Sequence, residues 1–87
     1  MAELHLPPTL TPLLQGLPRR LEVEASTVDE ALADLERRFP GVRDRLCEPG
    51  PALRAHIHVY VDRERAGLET ALRPGSRVDV IAAISGG

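Results

Sequence analysis

Residues 77–87 of this chain read RVDVIAAISGG, and this stretch decides how the rest of the sequence is interpreted. Every second side chain from Val78 to Ala82 is apolar. A two-residue period is typical of a β-strand that buries one face and exposes the other. We therefore predict a last strand over residues 77–83, followed by a short tail.

The tail ends in Gly86-Gly87. Average glycine usage is about 7%, so a random chain ends in two glycines only about 0.5% of the time. Because glycine has no side chain, such a tail can enter a narrow active site that would reject any Cβ. Extended from Ala83 to Gly87, it would reach about 16 Å at about 3.3 Å per residue. A flexible, incidentally glycine-rich end is the alternative, and it stays open at this point.

One segment upstream carries a complete set of helix signals. Residues 27–30 read TVDE, a capping box in which Thr27 accepts a backbone N–H and Glu30 reaches back. Apolar residues then recur at helical spacing, at Val28, Ala31, Leu32, Leu35 and Phe39. Pro40-Gly41 ends the pattern. The segment predicts one amphipathic helix with a single buried stripe.

The remaining segments complete a small α+β domain. Three runs alternate apolar and polar residues and are predicted as strands: 3–6, 21–25 and 56–61. The connecting pieces are predicted as a short helical turn at 41–46, an irregular connection at 48–51 and a charged turn at 62–66. We expect a mixed sheet of four to five strands with the helix across one face. The first and last strands should lie side by side in its middle.

Composition limits the function. The 87 residues suit one small domain with little room for a deep private active site. The net charge of −2, with one Tyr, one Phe and no Trp, disfavours nucleic acid as a partner. A single cysteine cannot form an intramolecular disulfide. Because neither an 18-residue apolar stretch nor a signal-peptide h-region is present, we predict a cytoplasmic protein without a membrane partner.

This order of elements, with Gly-Gly after the last strand, resembles the β-grasp (ubiquitin-like) fold. In detail it resembles the bacterial sulfur-carrier proteins of the MoaD/ThiS family, closest in character to the CysO-type carriers, over essentially the whole chain. The segments that carry the resemblance are 27–32, 39–42, 57–61, 72–78 and 84–87. The resemblance implies a β-grasp domain over residues 1–83 and a flexible tail over residues 84–87.

The resemblance also implies a chemistry. In this family a ubiquitin-activating-type (MoeB/ThiF-like) partner enzyme adenylates the terminal glycine with ATP and magnesium. A sulfur nucleophile then converts the adenylate into a thiocarboxylate, here on Gly87, and a sulfur-accepting synthase receives the sulfur. Gly86 and Ser85 would keep the tail slim, and Ile84 would anchor its base. The chain itself would be a co-substrate with no bound cofactor rather than an enzyme.

A carrier of this kind needs a docking surface. His58, Tyr60 and Ile81 are expected on the sheet face away from the helix, near the root of the tail, where an apolar and aromatic patch would suit partner recognition. A tail-trimming or tail-releasing protease is a further expected partner. Isolated exposed apolar residues are also common without any role, so this reading competes with a plain surface.

Several functions stay open. The favoured destination of the sulfur is cysteine or specialised-metabolite thiolation. The alternatives are a ubiquitin-like protein modifier and the small subunit of a molybdopterin synthase. A different class is a β-grasp interaction module with an incidental tail.

Two other features receive no functional assignment. His56 and His58 have a spacing that can hold a metal, but no third ligand is near in sequence, so no metal site is predicted. Cys47 lies without an activating base and is interpreted as a small, partly buried residue.

Overall fold

The computed structural model describes residues 1–8, 10, 16–50 and 52–82. It contains two helices and seven strands in the described part of the chain. In chain order these are β1 Ala2–His5, β2 Arg20–Val23, α1 Val28–Arg38, α2 Val42–Leu46, β3 Cys47–Glu48, β4 Ala52–Leu53, β5 Ile57–Val61, β6 Glu64–Ala66 and β7 Arg77–Ala82.

Five strands form one mixed sheet in the order β2-β1-β7-β5-β6. The first and last strands are parallel neighbours at its centre, with Leu4 opposite Val78, and all other pairs are antiparallel. This confirms the predicted α+β architecture. It also makes β7, the strand that leads into the tail, the central strand of the sheet.

Helix α1 begins as the capping box predicts, and the neighbouring segment completes its N-terminus. Thr27 Oγ1 accepts the N–H of Glu30 at 3.2 Å, and the Glu30 carboxylate accepts the N–H of Ser26 at 2.9 Å. The first two helical N–H groups are satisfied from outside, since Val28 donates to the Thr70 carbonyl and Asp29 to the Leu68 carbonyl. The orphan donors that every helix N-terminus presents are thereby paired here.

The core lies between α1 and one face of the sheet. The fully buried aliphatic side chains come from both layers, among them Leu4, Val23, Leu32, Leu35, Val59 and Val78. Asp34 is also buried on α1, but it is compensated, because it forms ion pairs with Arg37 and Arg38 on the same helix. A core built from one sheet face leaves the opposite face of the sheet without a covering layer among the described residues.

The prediction of a charged turn over residues 62–66 was wrong for most of that segment. Only Asp62 and Arg63 form the turn, with backbone φ angles of 49° and 74°, and residues 64–66 are strand β6. A two-residue hairpin needs positive φ at both positions to match the twist of its strands. Asn-Gly is the usual signal for it, so Asp-Arg did not indicate the hairpin.

Two smaller predictions also need correction. The connection predicted as irregular at 48–51 belongs to a hairpin, in which Cys47 pairs with Leu53 and Glu48 with Ala52. His56 lies just before β5 rather than within it. The last strand ends at Ala82 within the described residues, so its predicted extension to residue 83 lies outside them.

Candidate functional site

The candidate site is the end of β7 together with the sheet face that α1 does not cover, which we call the open face. The predicted tail residues Ile84, Ser85, Gly86 and Gly87 lie outside the described residues. The structure does place Ala82, the last described residue of the central strand, and we call this position the tail root.

One row of side chains crosses the open face through all five strands. The strand registers place Arg20 opposite His5, His5 opposite Asp79, Asp79 opposite Tyr60 and Tyr60 opposite Arg65. Directly opposed side chains on one face are within interaction distance. The row is therefore a continuous polar and aromatic band that crosses β7 at Asp79, three residues before Ala82.

The predicted docking residues His58, Tyr60 and Ile81 all lie on this face, and His58 is the direct cross-strand partner of Ile81. The side chain of Ile81 is 46% exposed, whereas most large apolar side chains of the described chain are buried. Their role in docking remains a prediction.

Arg65 organises the β5 side of the open face. Its Nη2 lies 2.8 Å from Nδ1 of His58, and since the guanidinium has only donors, Nδ1 is the acceptor. The guanidinium carbon also lies 5.9 Å from the centre of the Tyr60 ring, within cation–π range. One arginine thus fixes both His58 and Tyr60.

Asp79 and Arg77 form a second ordered pair on β7. The Arg77 Nε lies 3.0 Å from Asp79 Oδ2, and the backbone N–H of Arg77 donates to Asp62 Oδ1 at 2.9 Å. The second contact ties the β5–β6 turn to the start of β7. On β1, His5 Nε2 lies 2.6 Å from Glu3 Oε1, so its polar contact stays within its own strand.

Two concave surfaces flank Ile81. The larger, about 640 Å³, is lined by residues that include His5, Pro7, Arg19, Arg20, Ile81 and Ala82. The smaller, about 320 Å³, is lined by Tyr60, Arg63, Arg77, Asp79 and Ile81. Ile81 therefore projects between two shallow depressions with charged walls.

Cys47 lies apart from this site. It is buried, as a part of the core, and burial raises the pKa of its thiol. A protonated buried thiol is a poor nucleophile. Among residues 1–8, 10, 16–50 and 52–82, no group of three or more His, Cys, Asp or Glu residues is arranged to hold a metal ion. No helix in the same residues is long and apolar enough to cross a membrane.

Sequence reasoning missed Asp79 and Arg65 as members of the site. Asp79 could have been found, because the alternation along β7 puts it on the same face as Ile81. Arg65 could not have been found, because residue 65 was predicted to lie in a turn, where strand alternation does not assign a residue to either face of the sheet.

Comparison with known proteins agrees with this architecture, which defines the protein as a β-grasp, ubiquitin-like domain. The ThiS family sequence model matches residues 13–87. The chain belongs to the ThiS family. It is 28% identical over 86 residues to the sulfur carrier protein CysO of Mycobacterium tuberculosis, an alignment that covers 92% of each chain.

Solved structures show the same likeness. CysO in the BexX/CysO complex of Amycolatopsis orientalis matches with a TM-score of 0.87 at 28% identity, and the alignment covers 100% of both chains. SAMP1 of Haloferax volcanii, a small archaeal modifier protein, matches with a TM-score of 0.77 at 29% identity over 99% of this chain and 98% of that one. Both the expected family and the expected fold are confirmed.

Proposed function

We propose that this protein is a sulfur carrier whose Gly87 carboxylate is activated by a partner enzyme and converted into a thiocarboxylate. A carboxylate is a poor electrophile, so it first attacks the α-phosphorus of ATP and releases pyrophosphate. Sulfide then attacks the acyl carbon of the adenylate and AMP leaves, which gives the thiocarboxylate after loss of a proton. A persulfide in the same role gives an acyl disulfide, and a thiol must then cleave its S–S bond, releasing the thiocarboxylate and forming a new disulfide. ATP and magnesium are used by the partner, and the chain is a co-substrate rather than an enzyme.

One observation carries this proposal. The ThiS family match includes Gly86-Gly87, and only residues 83–85 lie between Ala82 of the central strand and these glycines. A rigid central strand fixes the tail root, while a tail that ends without side chains suits a narrow catalytic cleft. The relatives named as sulfur carriers support the same function.

Docking is assigned to the open face. His58, Tyr60 and Ile81 stand beside the tail root, so a partner that binds there holds the tail close to its own catalytic groups. We propose a MoeB/ThiF-like adenylating enzyme and a sulfur-accepting synthase as the partners, in the cytoplasm. The proposed destination of the sulfur is cysteine or specialised-metabolite thiolation.

The first test is intact-mass spectrometry of the full chain after incubation with the host's purified MoeB/ThiF-like enzyme, ATP, magnesium and a sulfide source. We expect replacement of one oxygen by one sulfur, located at Gly87. A variant with one alanine appended after Gly87 is the control and should not exchange. Equal exchange in both proteins, or none in the unmodified chain, would contradict the proposal.

The docking assignment is tested separately. Tyr60→Asp and Ile81→Asp should each slow adenylation by placing a carboxylate in the contact. Ala33→Asp, on the exposed side of α1, adds the same charge away from the open face and should leave the rate unchanged. Unaltered adenylation rates in Tyr60→Asp and Ile81→Asp would contradict the assignment of docking to the open face.

A protein modifier is the second candidate, favoured by the likeness to SAMP1. The same adenylate would then acylate a lysine amine on another protein, with AMP leaving and the amine losing a proton. Peptide mapping of protein isolated from its host distinguishes the two functions. Gly87-linked isopeptides support the modifier, and the sulfur-for-oxygen exchange supports the carrier.

A further inference from the structure

Two adjacent arginines at the tail-root end of the open face are not neutralised. Arg19 and Arg20 are exposed, and neither side chain forms an ion pair or hydrogen bond within the described part of the chain. Arg20 begins β2 and lies opposite His5, and both arginines line the larger depression beside Ile81. Their guanidinium groups are therefore available to a partner.

The acid that lies beside these arginines in the depressions is already paired. Asp79, the one acid among the described residues that line the two depressions, pairs with Arg77. Glu3 and Glu22 lie opposite each other further along the open face and line neither depression. Arg63, on the opposite flank of Ile81, is exposed and also lacks an ion pair among the described residues. The unpaired charges among the described residues that line the two depressions are therefore positive.

This local excess contrasts with the whole chain, whose formal net charge is −2. The positive excess is therefore local to the lining of the two depressions beside Ile81. An exposed apolar side chain between unpaired guanidinium groups is the arrangement of an interface centre with a charged rim.

We propose that Ile81, Arg19, Arg20 and Arg63 form one arginine-flanked patch that binds a partner protein with an apolar pocket bordered by carboxylates. The inference rests on the proposed function, and the partner it specifies is the adenylating enzyme. Ile81 enters the pocket, and the arginines pair with Asp or Glu side chains at its border. Guanidinium groups suit this role because their planar donors match a carboxylate with two parallel hydrogen bonds.

The chemistry favours protein carboxylates over the phosphates of nucleic acid. Among the described residues, Tyr60 is the one aromatic side chain on the open face, and the Arg65 guanidinium lies over its ring, so stacking of a base on that side would displace this contact. Few phosphates could be neutralised by three arginines, and the chain as a whole repels a polyanion. Rim charges of this kind chiefly speed encounter and set the orientation of docking.

The test compares two double variants with the same change in charge. Arg19→Glu with Arg20→Glu reverses the patch. Arg45→Glu with Arg73→Glu is the control, because both arginines are exposed, lack ion pairs in the described residues and lie off the open face, on α2 and in the turn before β7. Unfolding midpoints of both proteins are measured first and should match the unmodified chain.

Adenylation by the host's purified MoeB/ThiF-like enzyme is then measured as ATP–pyrophosphate exchange at varied carrier concentration. For Arg19→Glu/Arg20→Glu we expect the KM for the carrier to rise about tenfold or more with kcat unchanged, since rim charges act on encounter. The control should stay within about twofold of the unmodified chain. The difference should shrink with added NaCl, because salt screens charges at the interface rim. Equal KM values for the two variants would overturn the proposal.

A binding titration without ATP separates this inference from the proposed function. If the unmodified chain binds the enzyme and Arg19→Glu/Arg20→Glu binds it more weakly than the control, the patch is supported even where no adenylate forms. Absence of binding by the unmodified chain overturns the patch. The same titration with a single-stranded RNA oligonucleotide should show no binding, and RNA binding that the patch reversal abolishes while KM is unchanged would assign the arginines to nucleic acid instead.

Discussion

The two faces of the five-stranded sheet are built from alternate residues of the same strands, yet they differ in burial, polarity and charge. The face toward α1 is lined by aliphatic side chains such as Leu4, Val59 and Val78, all fully buried. The open face carries Asp79, Tyr60 and other polar or charged groups beside an exposed Ile81.

We therefore expect stability and partner recognition to depend on different residues of the same strands. Burial of apolar area drives folding, and nearly all of it lies on the helix side. The open face can therefore vary in charge and shape at little cost to folding. Substitutions on the buried face should therefore lower stability and leave partner binding unchanged. Substitutions on the open face should weaken partner binding and leave stability nearly unchanged.

The largest expected effect uses one substitution on each face. Ile57→Ala removes a buried side chain of β5 and should lower the free energy of unfolding by about 3 kcal/mol, because buried Ile-to-Ala changes leave a cavity. Ile81→Ala on the neighbouring strand should change it by no more than about 0.5 kcal/mol, as for other exposed sites. Urea denaturation of both variants measures the two values.

The second measurement is the binding of the same two variants to the adenylating enzyme. Ile81→Ala should weaken docking of the adenylating enzyme, whereas folded Ile57→Ala should bind it as the unmodified chain does. Comparable stability losses for the two variants would mean that the open face also contributes to the core.

A smaller effect is expected at the turn that joins β5 to β6 on the edge of the open face. Arg63 has a backbone φ of 74°, and this conformation costs a residue with a Cβ about 1–2 kcal/mol. Glycine avoids that cost, but it loses more conformational entropy on folding, which offsets part of the gain. Arg63→Gly should therefore raise the free energy of unfolding by about 0.5–1 kcal/mol. Thermal unfolding with Arg63→Ala as control distinguishes backbone relief from loss of charge, since alanine keeps the Cβ and should bring no gain.

The smallest expected effect lies on the helix side and depends on pH. Glu36 on α1 accepts the backbone N–H groups of Gly41 and Arg43, at 2.9 and 2.8 Å. These two hydrogen bonds hold the pKa of its carboxyl below the ordinary value of 4.5. A lowered native pKa means that the stabilisation is present above the unfolded-state pKa and is lost as the pH falls through the native one.

Denaturation of Glu36→Gln across acidic pH measures this contribution. The stability advantage of the unmodified chain over Glu36→Gln should be constant near neutral pH and should decline below the ordinary carboxyl pKa. Glu48→Gln, at an exposed carboxylate on β3 without a side-chain hydrogen bond in the described residues, is the matched control for the loss of one carboxylate. An unchanged advantage down to strongly acidic pH would contradict a stabilising role for the hydrogen bonds that the Glu36 carboxylate accepts from Gly41 and Arg43.

Much of the fold could be predicted because its signals are local. The capping box at residues 27–30 and the apolar stripe of α1 depend on neighbours within one or two helical turns, and the alternation along β5 and β7 depends on side-chain period alone. Strand β6 could not be predicted, because its pairing is set by an Asp62-Arg63 turn whose positive φ angles the residue types do not favour.

The residues of the candidate site were likewise predictable only in part. The tail glycines, Tyr60 and Ile81 follow from sequence position and alternation. The unpaired state of Arg19 and Arg20 depends on which acids stand near them in space, and an unaligned sequence does not contain that information.

By itself the sequence determined one amphipathic helix, the strand faces and a glycine-ended tail, because each depends on the chemistry of residues close together in the chain. Only the tertiary structure shows the register at which β1 and β7 pair and the row in which residues from all five strands meet on the open face. The physical reason is that strand pairing joins residues far apart in sequence, and its register is chosen by burial of the opposite face.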